Sequence, residues 1–120
     1  MTKSMNANQT RWSYAAATGG IDNTTTAVTI KAAGAAGVRN YITSAQISHA
    51  TLGAATEFAI RDGAGGTVLW RMTMGTTAVE MQSIIFDPPL MGSAATLLEV
   101  VTLTAVTGDV LFNAQGYSAV

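Results

Sequence analysis

Short segments of alternating apolar and polar residues recur along this chain, separated by turn-forming residues. In the segment 56–61, Phe58 and Ile60 fall on one side of an extended strand. Glu57 and Arg61 fall on the other side. This two-residue period is typical of a β-strand that buries one face. The glycine-rich segment 62–66 leads into a second alternating segment, so the two predict a β-hairpin.

Eight such segments span most of the chain. The predicted strands are 11–16, 25–31, 38–49, 56–61, 67–74, 80–86, 96–103 and 110–117. Pro88 and Pro89 are expected to end the sixth strand, because proline donates no hydrogen bond to a β-ladder. The alanine-rich segments 32–36 and 50–55 are interrupted by glycine and lack a 3.6-residue apolar period, so they are predicted to be loops. The pattern predicts an all-β protein, an eight-stranded antiparallel β-sandwich.

Composition adds a prediction of self-association. The 120 residues are enough for one domain, with 48% hydrophobic and only 11% charged residues, against about 25% charged in a typical soluble domain. A surface poor in charge can be covered by neighbouring subunits without burying unpaired charges. The formal net charge is −1 and the basic residues are never adjacent, so no nucleic-acid partner is expected.

The domain organisation follows from where the strand pattern begins. Residues 1–10 show neither strand nor helix pattern and are predicted to form a flexible arm, ahead of a single domain at 11–120. Such an arm is ordered only when it docks on a partner. No apolar segment approaches the roughly 20 residues that cross a bilayer, so no membrane partner is expected. The polar beginning predicts synthesis and use without Sec-dependent export.

Residues that carry catalysis or bind metals are scarce. The chain has no cysteine and one histidine, His49, which is expected at the surface or rim of the domain. Metal sites need several converging ligands. Glu99 is unusual because it lies within an apolar strand, and a cross-strand or inter-subunit arginine is its expected partner. The sequence therefore predicts no catalytic residue, no cofactor and no metal, and a protein that is not an enzyme.

The aromatic residues fall into two groups. Trp70 alternates in phase with Val68 and Met72, which predicts a core position. Trp12 and Tyr14 share one face of the first strand, which is a candidate edge strand. Their possible roles are core packing, a subunit interface or a ligand stack, and the sequence leaves all three open.

Taken together, several short motifs resemble a known family. They are Arg11-Trp12-Ser13-Tyr14, Gly19-Gly20-Ile21, the Thr-rich 23–31, 37–44 (Gly-Val-Arg-Asn-Tyr-Ile-Thr-Ser), Ile60-Arg61-Asp62-Gly63, Val68-Leu69-Trp70-Arg71, 86–94 (Phe-Asp-Pro-Pro-Leu onward) and Asn113-Ala114-Gln115-Gly116-Tyr117. The chain resembles the small head-module proteins of tailed bacteriophages that decorate or cement the capsid, and related jelly-roll virion proteins. The resemblance covers most of the chain after residue 10.

This resemblance implies a jelly-roll sandwich that forms a homotrimer on the capsid surface. The implied partners are other copies of the chain and the major capsid protein, and the implied place of synthesis is the host cytoplasm. A decoration protein would stabilise the head by bridging capsomers, with the arm reaching onto the shell or an adjacent trimer. The residues expected to contact partners are Arg11, Trp12, Tyr14, Asn40, Tyr41 and Tyr117.

Three other classes of protein are compatible with such a sandwich. The first alternative is a carbohydrate-binding head-fibre or adhesin module, which needs an exposed aromatic shelf. A cupin-like enzyme needs clustered histidines, and this chain has one. A spherical-virus coat protein is a weaker candidate, because this chain lacks a basic arm for packaging a genome.

Overall fold

The fold is built entirely from β-strands. A computed structural model describes residues 9–18, 20–21 and 25–120 of the chain. The described residues contain no helix. In chain order the strands are β1 (Thr10–Tyr14), β2 (Val28–Lys31), β3 (Arg39–His49), β4 (Thr56–Asp62), β5 (Thr67–Met74), β6 (Val79–Met91), β7 (Leu98–Thr102) and β8 (Val110–Ala119). Each overlaps one of the predicted strands, so the all-β class is confirmed.

The strands form two four-stranded antiparallel sheets. The first sheet has the order β1-β8-β3-β6 and the second has the order β2-β7-β4-β5. Pairing joins the first strand to the last, the second to the last but one, and so on inward to the β4–β5 hairpin. This nesting is a long antiparallel hairpin rolled over on itself, which is the jelly-roll arrangement of two facing sheets. The predicted eight-stranded sandwich is therefore confirmed.

Aromatic side chains join the two sheets through the core. Phe58 and Ile60 of β4 and Phe112 of β8 are buried between the sheets. The rings of Phe58 and Phe112 lie 5.0 Å apart. Trp70 of β5 meets Phe86 of β6 edge-on at 5.6 Å and packs against the core, as its alternation predicts. Such ring contacts stabilise the sandwich beyond the area they bury.

The predicted hairpin between β4 and β5 is present. Gly63 and Gly65 have φ angles of +90° and +64°, where a side chain would clash with the backbone. The backbone N–H of Gly66 donates to the carbonyl of Gly63 at 3.0 Å. The glycines of 62–66 therefore supply the conformations that reverse the chain at this turn.

The predicted end of the sixth strand at the two prolines is wrong. β6 continues through Pro88 and Pro89 to Met91. Along β3, Ile42 pairs with Leu90 and Ser44 pairs with Ile85, so the prolines lie in a bulge between these pairs. β6 is also an edge strand of the first sheet. Edge strands and bulges are the places where a sheet tolerates proline, because no ladder hydrogen bond is lost there.

The strand β1 fixes where the described domain begins. Thr10 is its first residue and pairs with Ser118 of β8. Residues 1–8 of the predicted arm lie outside the described residues. The beginning of β1 and the end of β8 therefore lie side by side at one end of the first sheet.

Candidate functional site

The outer surface of the first sheet is the candidate site, and we call it the first-sheet face. Buried side chains of β3 and β8 alternate with side chains that point away from the core. These outward side chains stand in rows across the strands: Arg11, Tyr117, Tyr41 and Met91, then Ser13, Gln115, Ser44 and Ile85, then Asn113, Gln46 and Ser83, then Leu111 and Ser48. Arg11 is the one charged side chain in these rows.

A hydrogen-bonded network occupies the middle of the first-sheet face. Gln46 Nε2 donates to Gln115 Oε1 at 3.0 Å, and Gln115 Nε2 donates to Gln46 Oε1 at 2.9 Å. Ser44 Oγ also donates to Gln115 Oε1, at 2.7 Å. Because these polar groups are paired with each other, another protein surface can cover them without leaving them unsatisfied. The centre of the face is therefore suited to contact with protein.

A pair of stacked tyrosines lies beside this network. Tyr41 and Tyr117 are directly opposite in neighbouring strands. Their rings are nearly parallel, with centroids 4.6 Å apart. Cross-strand aromatic pairs of this kind stabilise the sheet. Arg11 pairs with Tyr117 from the other side, on the edge strand β1.

The first-sheet face has a shallow depression at its β1 edge, which we call the β1–β8 depression. Its volume is about 770 Å³. The residues that line it are Arg11, Trp12, Ser13, Thr43, Gln115, Gly116 and Tyr117. One member, Gly116, leaves room for the Trp12 side chain, since a Cβ there would lie 2.8 Å from Trp12 Cζ2. Arg11 is the only charged residue of the lining.

The structure divides the six residues predicted to contact partners. Arg11, Tyr41 and Tyr117 come together on the first-sheet face. Trp12 and Tyr14 are half-buried and pack against the core from β1. The prediction of a shared face on an edge strand is confirmed for this pair. Of the three roles left open for them, core packing is the one that these contacts fill.

Asn40, the sixth predicted contact residue, is fully buried and its side chain is engaged within the chain. Its Nδ2 donates to the carbonyl oxygens of Ala32 at 3.1 Å and Thr96 at 3.4 Å. Its Oδ1 accepts a hydrogen bond from Ser118 Oγ at 2.6 Å. Asn40 therefore ties β3 to β8 and to two loops, and it does not reach the surface of the described domain.

Sequence inspection missed the exposed apolar side chains of β6. Met81, Ile85 and Met91 are 67%, 79% and 53% exposed. We call these three residues the β6 stripe. Ile84 and Phe86, which alternate with Ile85, point into the sandwich. The segment 80–86 is apolar on both of its faces near Ile84 and Ile85. This departure from strict alternation was the sequence feature that could have indicated an exposed apolar side chain on β6.

Two ion pairs lie on the second sheet. Arg61 Nε donates to Glu99 Oε2 at 2.7 Å, and the Gly65 backbone N–H donates to the same oxygen at 3.0 Å. The expected arginine partner of Glu99 is therefore confirmed and comes from the neighbouring strand β4. An exposed pair joins Arg71 and Glu57 at 3.2 Å. These pairs place charge on the second sheet, away from the first-sheet face.

His49 is buried at the end of β3, so the expected surface or rim position is wrong. Its Nδ1 lies 2.8 Å from the carbonyl oxygen of Ala50. In the described part of the chain, no three His, Asp or Glu side chains are grouped as a metal site would require. No helix long and apolar enough to cross a membrane is found among the described residues.

Comparisons with known proteins found similar structures but no similar sequences. No family model and no curated protein sequence matches the chain. The coat protein of tobacco streak virus, solved in a C2 crystal form, is similar with a TM-score of 0.41 and 14% identity over 98% of this chain and 91% of that chain. A structure of the tobacco streak virus coat protein dimer has the same TM-score and identity over 95% and 89% of the two chains.

Proposed function

We propose that this chain is a structural protein of a virion that decorates or cements the capsid surface as a homotrimer. The observation that carries the proposal is the first-sheet face, which is broad and almost free of charge. Its central polar groups are hydrogen-bonded to one another, and exposed apolar side chains flank them. A surface of this kind suits lasting contact with protein, because covering its centre leaves the paired polar groups satisfied, and Arg11 is the one charge in its rows. The sequence resemblance to head-decoration proteins supports the same function.

The mechanism of such a protein is mechanical. A trimer seated where capsomers meet adds buried area to contacts that internal pressure pulls apart. Roughly 800 Å² per partner is enough for a specific interface. Three linked copies raise the effective affinity further, because once one copy is bound the others bind as if at high local concentration. The head is stabilised without any chemical step.

Two parts of the chain are the proposed contacts. Arg11, Tyr41 and Tyr117 form one end of the first-sheet face and are assigned to partner contacts. The arm at residues 1–10 is proposed to reach the shell or an adjacent trimer. Thr10, the last residue assigned to the arm, lies in β1 and pairs with Ser118 of β8, so the arm joins the domain beside the end of β8. The major capsid protein is the proposed partner there.

The geometry supports this function better than a carbohydrate-binding module. A sugar platform needs exposed aromatic rings. Trp12 and Tyr14, which were candidates for it, pack against the core. Tyr41 and Tyr117 each turn one ring face toward the other. The remaining candidate surface is therefore better matched to protein than to a stacked sugar.

Co-sedimentation tests the proposed function. The purified chain is mixed with shells of the same virus that lack it, and bound protein is measured against its concentration. We expect saturable binding and greater resistance of the shells to heat. Absence of binding at any concentration would refute the proposal, and binding to a glycan array in its place would favour the carbohydrate-binding alternative.

A truncation tests the part assigned to the arm. Deletion of residues 1–8 leaves all of β1 in place, so we expect a folded trimer whose shell occupancy falls at least about 10-fold. The control is the same chain with residues 1–8 replaced by a Gly/Ser segment of equal length. Unchanged occupancy after deletion would contradict the role of the arm but not that of the domain.

A further inference from the structure

The polar side chains that line the β1–β8 depression divide into two groups. The Gln115 amide is bonded within the central network of the first-sheet face, and Thr43 Oγ1 donates to the Gln115 carbonyl at 3.0 Å. Arg11 and Ser13 are exposed and have no hydrogen bond or ion pair to any described residue. The unsatisfied part of the lining is therefore its β1 side.

Arg11 differs in this respect from the other three arginines. Arg61 and Arg71 are paired with glutamates on the second sheet, and Arg39 Nη1 donates to a backbone carbonyl at 3.0 Å. Within the described part of the chain, no carboxylate or carbonyl accepts a hydrogen bond from Arg11. A guanidinium presents five N–H donors in a planar fork that fits a carboxylate. Arg11 therefore offers this fork to an acceptor from outside the described domain.

The wall of the same depression holds a buried donor. Trp12 Nε1 is buried and has no hydrogen-bond partner. It is bonded to Cε2, which lies over Gly116, where a Cβ would be 3.0 Å from that atom. Buried polar atoms without a partner are rare in folded proteins. Arg11 and Trp12 can only donate, so a ligand that matches this side of the depression supplies acceptor oxygens.

The position of the depression favours an extended segment of protein over a free small molecule. β1 is the outermost strand at this side of the first sheet, and an edge strand presents unpaired backbone N–H and C=O groups. An added strand would place alternate side chains on the outer face, in the rows of Arg11 and Ser13. The volume of about 770 Å³ is far more than one carboxylate fills, and it lies within the roughly 300–1,000 Å³ of sites for larger ligands.

We propose that the β1–β8 depression binds an acidic segment of the shell protein, which lies extended along β1 and places a carboxylate on Arg11. The inference rests on the proposed function, in which the shell is the partner, and it names the chemistry by which the shell is recognised. Charge complementarity carries the choice, because Arg11 is the one charge of the lining and would repel a basic segment.

A peptide titration followed by NMR tests the site directly. The chain has two tryptophans, and the indole N–H signal of Trp12 reports on the depression, while Trp70 packs in the core against Phe86 and serves as the internal reference. The probe is acetyl-Thr-Val-Glu-Val-Thr-amide, and the matched peptide has Gln in place of Glu. We expect saturable shifts of the Trp12 signal and at least about 5-fold tighter binding of the Glu peptide, more than a fully exposed ion pair supplies.

Two variants of the full chain assign the preference to Arg11. In Arg11→Gln, the Glu and Gln peptides should bind with equal affinity. Lys31→Gln is the matched control, because it removes one positive charge from β2 of the second sheet, and it should retain the preference. Equal affinities in the wild type, or no shift of the Trp12 signal with either peptide, would overturn the inference.

Two further ligands test that the occupant is an extended segment. Sodium acetate supplies the carboxylate alone, and the Glu peptide N-methylated at its three central amides cannot pair as a strand. Both should bind at least about 10-fold more weakly than the Glu peptide. Acetate that binds as well as the peptide would assign the depression to small carboxylates, and an N-methylated peptide of equal affinity would exclude pairing along β1.

Shell binding separates this inference from the proposed function. In co-sedimentation with shells, Arg11→Gln should lower occupancy at least about 5-fold and Lys31→Gln should leave it unchanged. Full shell binding by Arg11→Gln would overturn the inference and leave the proposed function standing. A wild-type chain that prefers the Glu peptide but does not bind shells would refute the proposed function and leave the carboxylate site standing.

Discussion

Replacing Asn40 should destabilise the domain although the residue lies on no surface. In Asn40→Ala, the carbonyl of Ala32 and the hydroxyl of Ser118 lose hydrogen bonds of 3.1 Å and 2.6 Å. The bond to Thr96, at 3.4 Å, is long and contributes little. A buried polar group left without a partner costs about 1–3 kcal/mol. Ala32 is exposed and Ser118 is only half-buried, so both groups can bind water instead, and we expect a total loss of about 2 kcal/mol, the lower end of the range for two groups.

The assay is urea unfolding followed by tryptophan fluorescence, at one protein concentration for all variants, because association adds to apparent stability. Asn113→Ala is the matched control. Asn113 is half-buried on the first-sheet face and accepts one hydrogen bond, from the backbone N–H of Ala16 at 2.9 Å. We expect it to lose about 1 kcal/mol or less. Equal losses in the two variants would refute the structural role of Asn40. Normal stability with weakened association would instead restore Asn40 as a contact residue.

Three further predictions concern charge, space and salt. Arg61→Met leaves the Glu99 carboxylate, whose side chain is 6% exposed, without its cation, and should lower the free energy of unfolding in urea by about 3 kcal/mol. Arg71→Met breaks the exposed pair with Glu57 and should lower it by less than about 1 kcal/mol. Equal losses in the two variants would contradict the difference in burial between the pairs. Gly116→Ala places a Cβ 1.9 Å from the carbonyl oxygen of Tyr41 and should lower the free energy of unfolding by at least about 2 kcal/mol. In the control Gly75→Ala, the new Cβ meets no atom within 4 Å, and stability should change by less than about 0.5 kcal/mol. Because the first-sheet face is almost uncharged, the proposed oligomer should persist in light scattering from about 0.05 to about 1 M NaCl, a range over which salt screens surface charge pairs. Dissociation by salt would show that ion pairs hold the subunits together.

Local patterning was sufficient to predict where alternation marks one buried face, as in β4, whereas β7 is buried at every position and was predicted from its apolar, β-branched residues. In β4, the alternation of Phe58 and Ile60 with Glu57 and Arg61 specified both the strand and its orientation. The glycines of 62–66 specified the hairpin, since few other residues adopt their φ angles. An arginine partner for Glu99 was also predictable, because a carboxylate in an apolar strand requires a nearby cation, but only the structure identifies it as Arg61 of the same chain.

The candidate site was less predictable because it depends on neighbours distant in sequence. Asn40 and Tyr41 are adjacent in β3, yet the Asn40 side chain is buried and the Tyr41 side chain lies on the outer face. This alternation follows from the pleat once it is known which residues of the strand face the core. Whether Pro88 ends a strand depends on whether that strand lies at a sheet edge, and only the topology decides this. The β1–β8 depression joins residues from both ends of the chain, and no local pattern brings these together.

The nested strand pairing also has a consequence for the order in which the chain folds. The β4–β5 hairpin closes over a short turn, and each further ladder, β3·β6, β2·β7 and then β1·β8, joins segments more distant in sequence. Closing a loop costs more entropy as its length grows, but once the inner ladder has formed, each new closure spans only the two flanking connections. The jelly roll can therefore zip from the hairpin outward through a succession of small steps. On this route the β1–β8 ladder forms last, so the depression that it carries is completed only at the end of folding.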